Sequence, residues 1–353
     1  MRVAFVTERT VFDDATDGRE RLQRIASGLA ARGHDVTVFC TQWWAGYDEY
    51  REYDGVTYRA VTVSEATPSF LTRLPVLLAQ YRPDVVHATP EPPKLVAAAN
   101  LGGTLARAPL VVEWFGDEGV EESRWTRYAA RKPATVITPS ELVRTVVREL
   151  GATTDTTQVV PESIDASLVE TTDPNQDADI VYARELDADA NVETLLLGLA
   201  ELRQRDWSAT IIGDGPKREE FEAQAADLRV DERVSFVGDI PREERVATYK
   251  GAHTFVQTAY RENFATELLW ALACGCVGIV EYQAESSAHE LIEQYPRSFR
   301  VSDDEGITEA IEDATRYERL DMDSDVAVAY DHNEVLERYL DIYQDLRDEH
   351  GVF

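Results

Sequence analysis

Three adjoining runs decide the fold: Arg2-Val-Ala-Phe-Val-Thr7, the segment Glu20 to Arg32, and Asp35-Val-Thr-Val-Phe-Cys40. The first is apolar with little alternation, as a strand covered on both faces of a parallel sheet is. The second repeats Leu22, Ile25, Ala26, Leu29 and Ala30 at helical spacing, and Gly33 supplies its stop. The third is again a strand. Together they form a βαβ unit, and the alternation continues outward from it. Strands are predicted at 84–88, 109–113, 134–138 and 158–160, with helices over 71–81, 94–106, 124–132 and 141–150. A stretch rich in Asp, Thr, Asn and Pro follows, and then a second series of strands and helices starts at Asp179. Alternating strands and helices specify a doubly wound parallel sheet, here twice.

The expected organisation is therefore an α/β chain of two Rossmann-like domains. Residues 1–165 form the first, 166–178 a linker, 179–325 the second, and 326–353 a segment whose amphipathic helix over 333–348 returns to the first. A chain of 353 residues suits two domains. Its start lacks the basic and apolar pattern of a signal peptide, and the longest apolar run, 268–280, is too short to span a bilayer. A cytoplasmic location is expected. Cys40, Cys274 and Cys276 read as reduced, buried thiols rather than metal ligands.

The formal net charge is −31, and only four of the 35 Lys+Arg residues are lysine. A chain so charged repels itself at low ionic strength, and molar salt screens that repulsion to a Debye length of ~3 Å. The pattern resembles proteins of halophilic archaea. It excludes a nucleic-acid binder, which needs a basic face. One local exception is the helix carrying Arg124, Arg127 and Arg131 on one face. It offers peripheral contact to anionic lipid or a lipid-phosphate acceptor, set against an ordinary solvated helix with Glu121 and Glu122 beside it.

Several short motifs stand in order along the chain. The first half carries Arg32-Gly-His-Asp-Val36, Pro83-Asp-Val-Val-His87 and Thr138-Pro-Ser-Glu141. The second carries Gly213-Asp-Gly-Pro216, Gly238-Asp-Ile-Pro-Arg-Glu-Glu244 and Arg261-Glu-Asn-Phe-Ala265 running to Cys274-Gly275. In order and spacing they resemble the retaining glycosyltransferases of family four, of the GT-B fold, over nearly the whole chain. The resemblance implies two domains facing across a cleft, with a nucleotide-sugar donor held by the second and an acceptor mostly by the first. It also implies transfer with retention and without a metal or other cofactor.

Carried over residue by residue, the resemblance makes Glu262 the catalytic-site carboxylate near the sugar, with His87 and Asp117 on the acceptor side. Donor binding falls to Gly18, Arg184, Gly213, Gly215, Lys217, Asn263, Phe264, Ala265, Thr266, Glu267, Trp270 and Ser286. The departures are specific. Trp270 stands where the family has its second glutamate, and Glu267, one helical turn back, is the candidate substitute. The two diphosphate-binding cations are replaced by Glu185 and Ala190, leaving Arg184 adjacent. Phe115 replaces a histidine, and Asp17-Gly18 keeps one glycine of a diglycine loop. The helix N-terminus at Asn263–Thr266 then supplies free N–H groups for phosphate. The product is expected to be a glycan or a glycosylated lipid-linked acceptor. The rival readings are a non-catalytic GT-B protein that binds or regulates, and a phosphorylase or epimerase on the same fold.

Overall fold

The computed structural model describes residues 1–175 and 178–351. Positions 176–177 of the expected linker and the last two residues of the closing segment lie outside the described residues. The chain divides into two compact units: Met1–Pro161 with the residues from Asn333 onward, and Glu162–His332.

In the first unit the chain runs β1 (Arg2–Val6), α1 (Asp17–Ala31), β2 (Asp35–Thr41), β3 (Tyr50–Tyr53), β4 (Val56–Thr62), α2 (Thr67–Tyr81) and β5 (Val85–Ala88). It continues through α3 (Pro93–Ala106), β6 (Leu110–Glu113), α4 (Arg124–Arg131), β7 (Thr135–Thr138), α5 (Glu141–Glu149) and β8 (Thr157–Val159). The sheet order is β3-β4-β2-β1-β5-β6-β7-β8, parallel except for β3. Thr16 caps α1 by accepting from the Arg19 N–H, and Gly33, at φ +81°, ends it as expected. The β3–β4 hairpin is additional to the sequence reading. Its turn is Asp54-Gly55, both at positive φ (50° and 74°), the Asp-Gly signal of a two-residue hairpin.

The second unit contains α6 (Ala166–Thr171), β9 (Ile180–Ala183), α7 (Val192–Glu201), β10 (Ala209–Ile212), α8 (Arg218–Asp227), β11 (Val234–Gly238), α9 (Arg242–Gly251) and β12 (Thr254–Gln257). After these come β13 (Arg261–Glu262), α10 (Thr266–Ala273), β14 (Val277–Glu281), β15 (Glu285–Ser286), α11 (Ala288–Ile292), β16 (Ser298–Val301), α12 (Asp304–Ala314) and α13 (Ser324–Ala329). Its six-stranded parallel sheet has the order β11-β10-β9-β12-β14-β16, that of a dinucleotide-binding fold, and β13 pairs with β15 apart from it.

The expected linker is partly a helix. Asp165 caps α6 by accepting from the Ser167 and Leu168 N–H groups, and Val169 is buried where α6 packs on α9 and α13. The chain changes unit earlier than the composition suggests, at Pro161/Glu162. The last helix, α14 (His332–His350), joins the first unit and buries Val335, Leu336, Tyr339, Leu340, Ile342, Tyr343 and Leu346. Its Leu336 presses on α1 at Gly28, where any Cβ would lie 2.8 Å from the leucine methyl. Among the described residues no helix is long and apolar enough to cross a membrane.

Candidate functional site

The second sheet reverses direction of growth between β9 and β12, and such a switch point opens a crevice beyond the carboxyl ends of its strands. Arg184 follows the last residue of β9, so strand alternation no longer governs where it points. Its Nη1 donates to the carbonyls of Asp189 (3.3 Å) and Arg261 (3.1 Å) and lies 3.7 Å from Glu262 Oε2. Burial disfavours its charge, but Glu262, Asp187 and Asp189 outweigh that and raise its pKa. Gln257, at the end of β12 and 2% exposed, donates to the same Glu262 oxygen at 3.2 Å. Arg184 and Glu262, named separately from the sequence, thus form one site. Gln257 was missed, and its signal was a polar residue closing an otherwise apolar buried strand.

Behind this pair Asn191, in the left-handed region at φ 51°, donates from Nδ2 to Thr258 O and Glu281 Oε2, both at 2.9 Å. Burial pushes the Glu281 carboxyl up to about 7, against the hydrogen bonds from Asn191 and Gln283. The loop bearing Glu262 and Asn263 is held by Ser287, whose N–H donates to Glu262 O (2.8 Å) and hydroxyl to Asn263 O (2.9 Å). Phe264 and Ala265 are buried and shape the turn into α10. Ala265 stands at the N-cap and offers no side-chain acceptor, and although the Thr266 N–H donates to Phe264 O (2.9 Å), the first turn of α10 beyond it has no side-chain cap.

Several expected donor contacts are corrected. Glu267 has no capacity left for a ribose. One oxygen accepts from Arg242 Nη1 (2.8 Å) and Tyr249 Oη (2.5 Å), the other from Arg242 Nη2 and Arg245 Nη1 (both 2.9 Å). These fill the roughly four lone-pair positions of a carboxylate. Desolvation alone would raise its pKa, but Arg242, Arg245 and Tyr249 prevail and lower it. Glu267 therefore ties α10 to α9. Trp270 is 5% exposed and fills the core beneath Arg242, whose guanidinium carbon sits 5.0 Å from its ring centroid. Gly213 and Gly215 serve backbone packing. A Cβ at Gly213 (φ +128°) would fall 1.9 Å from Arg184 O, and one at Gly215 2.5 Å from Leu186 O. Lys217 points to solvent and pairs with Glu220 at 2.5 Å. Ser286 is buried, its carbonyl 3.0 Å from His289 Nδ1.

In the first unit the switch point lies between β1 and β5, and Thr7, Thr89, Gly18, Arg19, Asp117 and Glu118 line the depression there. Asp117 Oδ2 accepts from the Gly18 N–H at 2.9 Å, and a Cβ on Gly18 would meet Asp117 Oδ1 at 2.7 Å. The carboxylate occupies the N-terminus of α1, the position an anion prefers. Glu118 accepts from the N–H groups of Phe115 (2.7 Å) and Gly116 (2.9 Å). Desolvation and the neighbouring Asp117 push its pKa up to about 8 all the same.

His87 is not part of this surface. It is fully buried, with Nδ1 against the Tyr343 hydroxyl of α14 and Nε2 3.2 Å from Glu113. Glu113 draws it inward, together with Arg21 (Nε–Oε1 2.9 Å) and Tyr339 (3.0 Å). Arg21 also donates to the carbonyls of Val160 (2.6 Å) and Pro161 (2.8 Å). This buried cluster joins α1, β6, the end of β8 and α14, and so makes His87 a core residue. Arg124, Arg127 and Arg131 are exposed on α4, Arg127 being paired with Glu122.

Against known proteins, the Glycosyl transferase 4-like domain matches residues 18–162, and the Glycosyl transferases group 1 family matches 164–323. The chain belongs to the glycosyltransferases. Among relatives of this glycosyltransferase, a 2-deoxystreptamine glucosyltransferase of Streptomyces kanamyceticus is 24% identical over 42% of the chain and 43% of its own length. An alpha-monoglucosyldiacylglycerol synthase of Streptococcus pneumoniae is 24% identical over 40% of the chain and 35% of its own length. The chain thus spans less than half the length of both. The solved glycosyltransferase from Rickettsia africae ESF-5 superposes with a TM-score of 0.77 at 15% identity, covering 98% of each chain. Anabaena HepE in complex with UDP gives 0.76 at 16% identity, over 98% of this chain and all of that one. At such identities the likeness concerns the fold: two Rossmann-like α/β units with parallel sheets, as in GT-B glycosyltransferases.

Proposed function

We propose that this glycosyltransferase moves a hexose-type sugar from a nucleotide-sugar donor to a glycan or lipid-linked acceptor with retention at the anomeric carbon. The observation that carries the reading is the Arg184–Glu262 pair at the switch point of the second sheet, steadied by Gln257. In this reading Glu262 accepts hydrogen bonds from sugar hydroxyls. Arg184 and the uncapped first turn of α10 supply positive charge and N–H donors for a diphosphate. The protein's contribution to chemistry is electrostatic stabilisation and positioning, with the diphosphate leaving group taking the acceptor proton. UDP bound to a protein of the same fold supports a uridine nucleotide as the first donor to try. The acidic, lysine-poor composition supports work in a salt-rich cytoplasm, and α4 supports peripheral membrane contact through Arg124, Arg127 and Arg131.

A second reading, a GT-B protein that binds without catalysing, is favoured by one contact: Asp117 already satisfies the Gly18 N–H with a carboxylate. One experiment separates the two. The protein in molar KCl is titrated calorimetrically with UDP and GDP, then incubated with their sugars while anomeric signals are followed by NMR. Nucleotide binding followed by donor consumption with retention supports transfer. Binding without turnover, together with a gain in affinity in Asp117→Asn, supports the second reading. Absence of binding to any nucleotide refutes both the donor site and the transfer reading.

A further inference from the structure

We propose that the outer surface of α2, α3 and α4 docks on an anionic lipid surface. The inference extends the reading of α4 from three arginines to a three-helix face. Its failure would leave the donor site untouched, because that site lies in the other unit.

Asp and Glu make up 66 of the 353 residues, close to one in five. Yet α2, α3 and α4, of 15, 14 and 8 residues, contain none. The three helices are neighbours on one side of the first sheet: α2 packs on α3, and α3 on α4. Elsewhere exposed helices follow the bulk composition, as the sequence Arg-Glu-Glu-Phe-Glu of α8 shows. A face without carboxylates in so acidic a chain is a local exception in three successive helices.

That face carries cations and apolar groups instead. Arg73, Lys94, Arg124, Arg127 and Arg131 lie on the three helices, and Lys132 follows α4 at its C-cap. Lys94 and Lys132 are two of the four lysines of the chain. Val76, Leu101 and Leu105 are 54%, 52% and 58% exposed, and Leu101 and Leu105 sit one turn apart on α3. The half-buried ring of Trp125 lies between Arg124 (5.3 Å) and Lys94 (5.9 Å), an aromatic flanked by cations of the kind that sits at the headgroup level. Scattered exposed leucines alone need no explanation. Leucines with cations, a tryptophan and no acids are complementary in both charge and polarity to an anionic bilayer surface. The carboxylates at the border are largely occupied, Glu122 by Arg127, Glu91 by Arg19 and Glu65 by Arg9.

Nucleic acid would be drawn by the charge but would gain nothing from Val76, Leu101 and Leu105, so the lipid surface is the better match. A basic residue near an anionic surface contributes about fivefold to the binding constant, so losing three costs on the order of a hundredfold.

The test is flotation of the full chain at the lowest KCl concentration at which circular dichroism shows it folded. Vesicles of phosphatidylcholine alone are compared with vesicles holding about 30 mol% phosphatidylglycerol, the anionic component that attracts basic segments. The wild type should float with the anionic vesicles only. Arg124→Gln/Arg127→Gln/Arg131→Gln should weaken flotation on the order of a hundredfold. Leu101→Asp/Leu105→Asp, which restores the acidic habit of the chain at solvent-exposed positions, should abolish it with circular dichroism unchanged. Arg316→Gln, on the second unit, should not alter it. No flotation of the wild type, equal flotation with neutral vesicles, or displacement by duplex DNA at equal charge concentration would each overturn the proposal.

Discussion

Replacing Glu267 by Gln separates a structural carboxylate from a nucleotide ligand. In the wild type its two oxygens receive four hydrogen bonds, three of them from guanidinium groups at 2.8–2.9 Å. The substitution removes the charge that Arg242 and Arg245 share and turns one acceptor into a donor facing them. Removing one partner of a buried ion pair costs ~3–5 kcal/mol. Here Arg242 is 35% exposed, so solvent offsets part of that, and about 2–4 kcal/mol is expected. For a unit of this size that corresponds to a fall in melting temperature of roughly 5–12 °C. The sign with pH follows from the lowered pKa of Glu267. Its contribution is present above the ordinary carboxylate range and is lost as the pH falls through the depressed folded value. The difference between variant and wild type should therefore be full at pH 7 and shrink in strong acid. Differential scanning calorimetry in molar KCl gives the stability, and calorimetric titration with UDP gives the affinity. Intact melting with at least a tenfold loss of UDP affinity would refute the packing role and restore Glu267 as a ribose ligand.

Glu113→Gln should destabilise the first unit by about 3–5 kcal/mol, since it leaves the nearly inaccessible Arg21 without its counter-charge; an unchanged urea midpoint would contradict this. Glu281, with its carboxyl pushed up to about 7, contributes stability that is full below the usual carboxylate range and declines as the pH rises toward 7. Glu281→Gln should therefore melt higher than the wild type at pH 8, by less at pH 5, and a constant gap would count against burial of the charge. With a net charge of −31, the melting temperature should rise steeply between dilute buffer and molar KCl as the Debye length falls below ~8 Å toward ~3 Å. A salt-independent midpoint would end the halophilic interpretation.

The alternation of apolar strands and amphipathic helices made both sheets legible, because buried parallel strands and periodic helices leave strong local signals. What escaped was either short or polar. The β3–β4 hairpin shows only an Asp-Gly turn and a mixed strand, Val56-Thr-Tyr-Arg-Ala-Val-Thr62. The helix α6 hid in a composition typical of linkers, although Asp165 was a good cap. At the candidate site, motif spacing names Glu262 but puts Glu185 where a cation is expected and leaves Arg184 one residue off, and the contact between Arg184 and Glu262 depends on loops brought together by strand order. Glu267 shows the limit most clearly. A glutamate on the right helix face is a plausible ligand until its partners are known, and those partners, Arg242, Arg245 and Tyr249, come from another helix. His87 was likewise decided by Tyr343, a residue 256 positions away.

The membership of α14 in the first unit bears on how the protein is made. The buried contacts of Arg21 and Glu113 with Tyr339, and of His87 with Tyr343, join residues separated by the whole of the second unit. On the ribosome, residues 1–161 emerge long before the helix that covers one side of their sheet. Glu113 and Arg21 can pair early, but the apolar surface that Val335, Leu336 and Ile342 later cover stays open to water until translation has passed them. The usual order, with the N-terminal domain completed first, is inverted: the second unit can close while the first still waits. A chain truncated after His332 should thus present a finished second unit and an unfinished first one that proteases and chaperones can find.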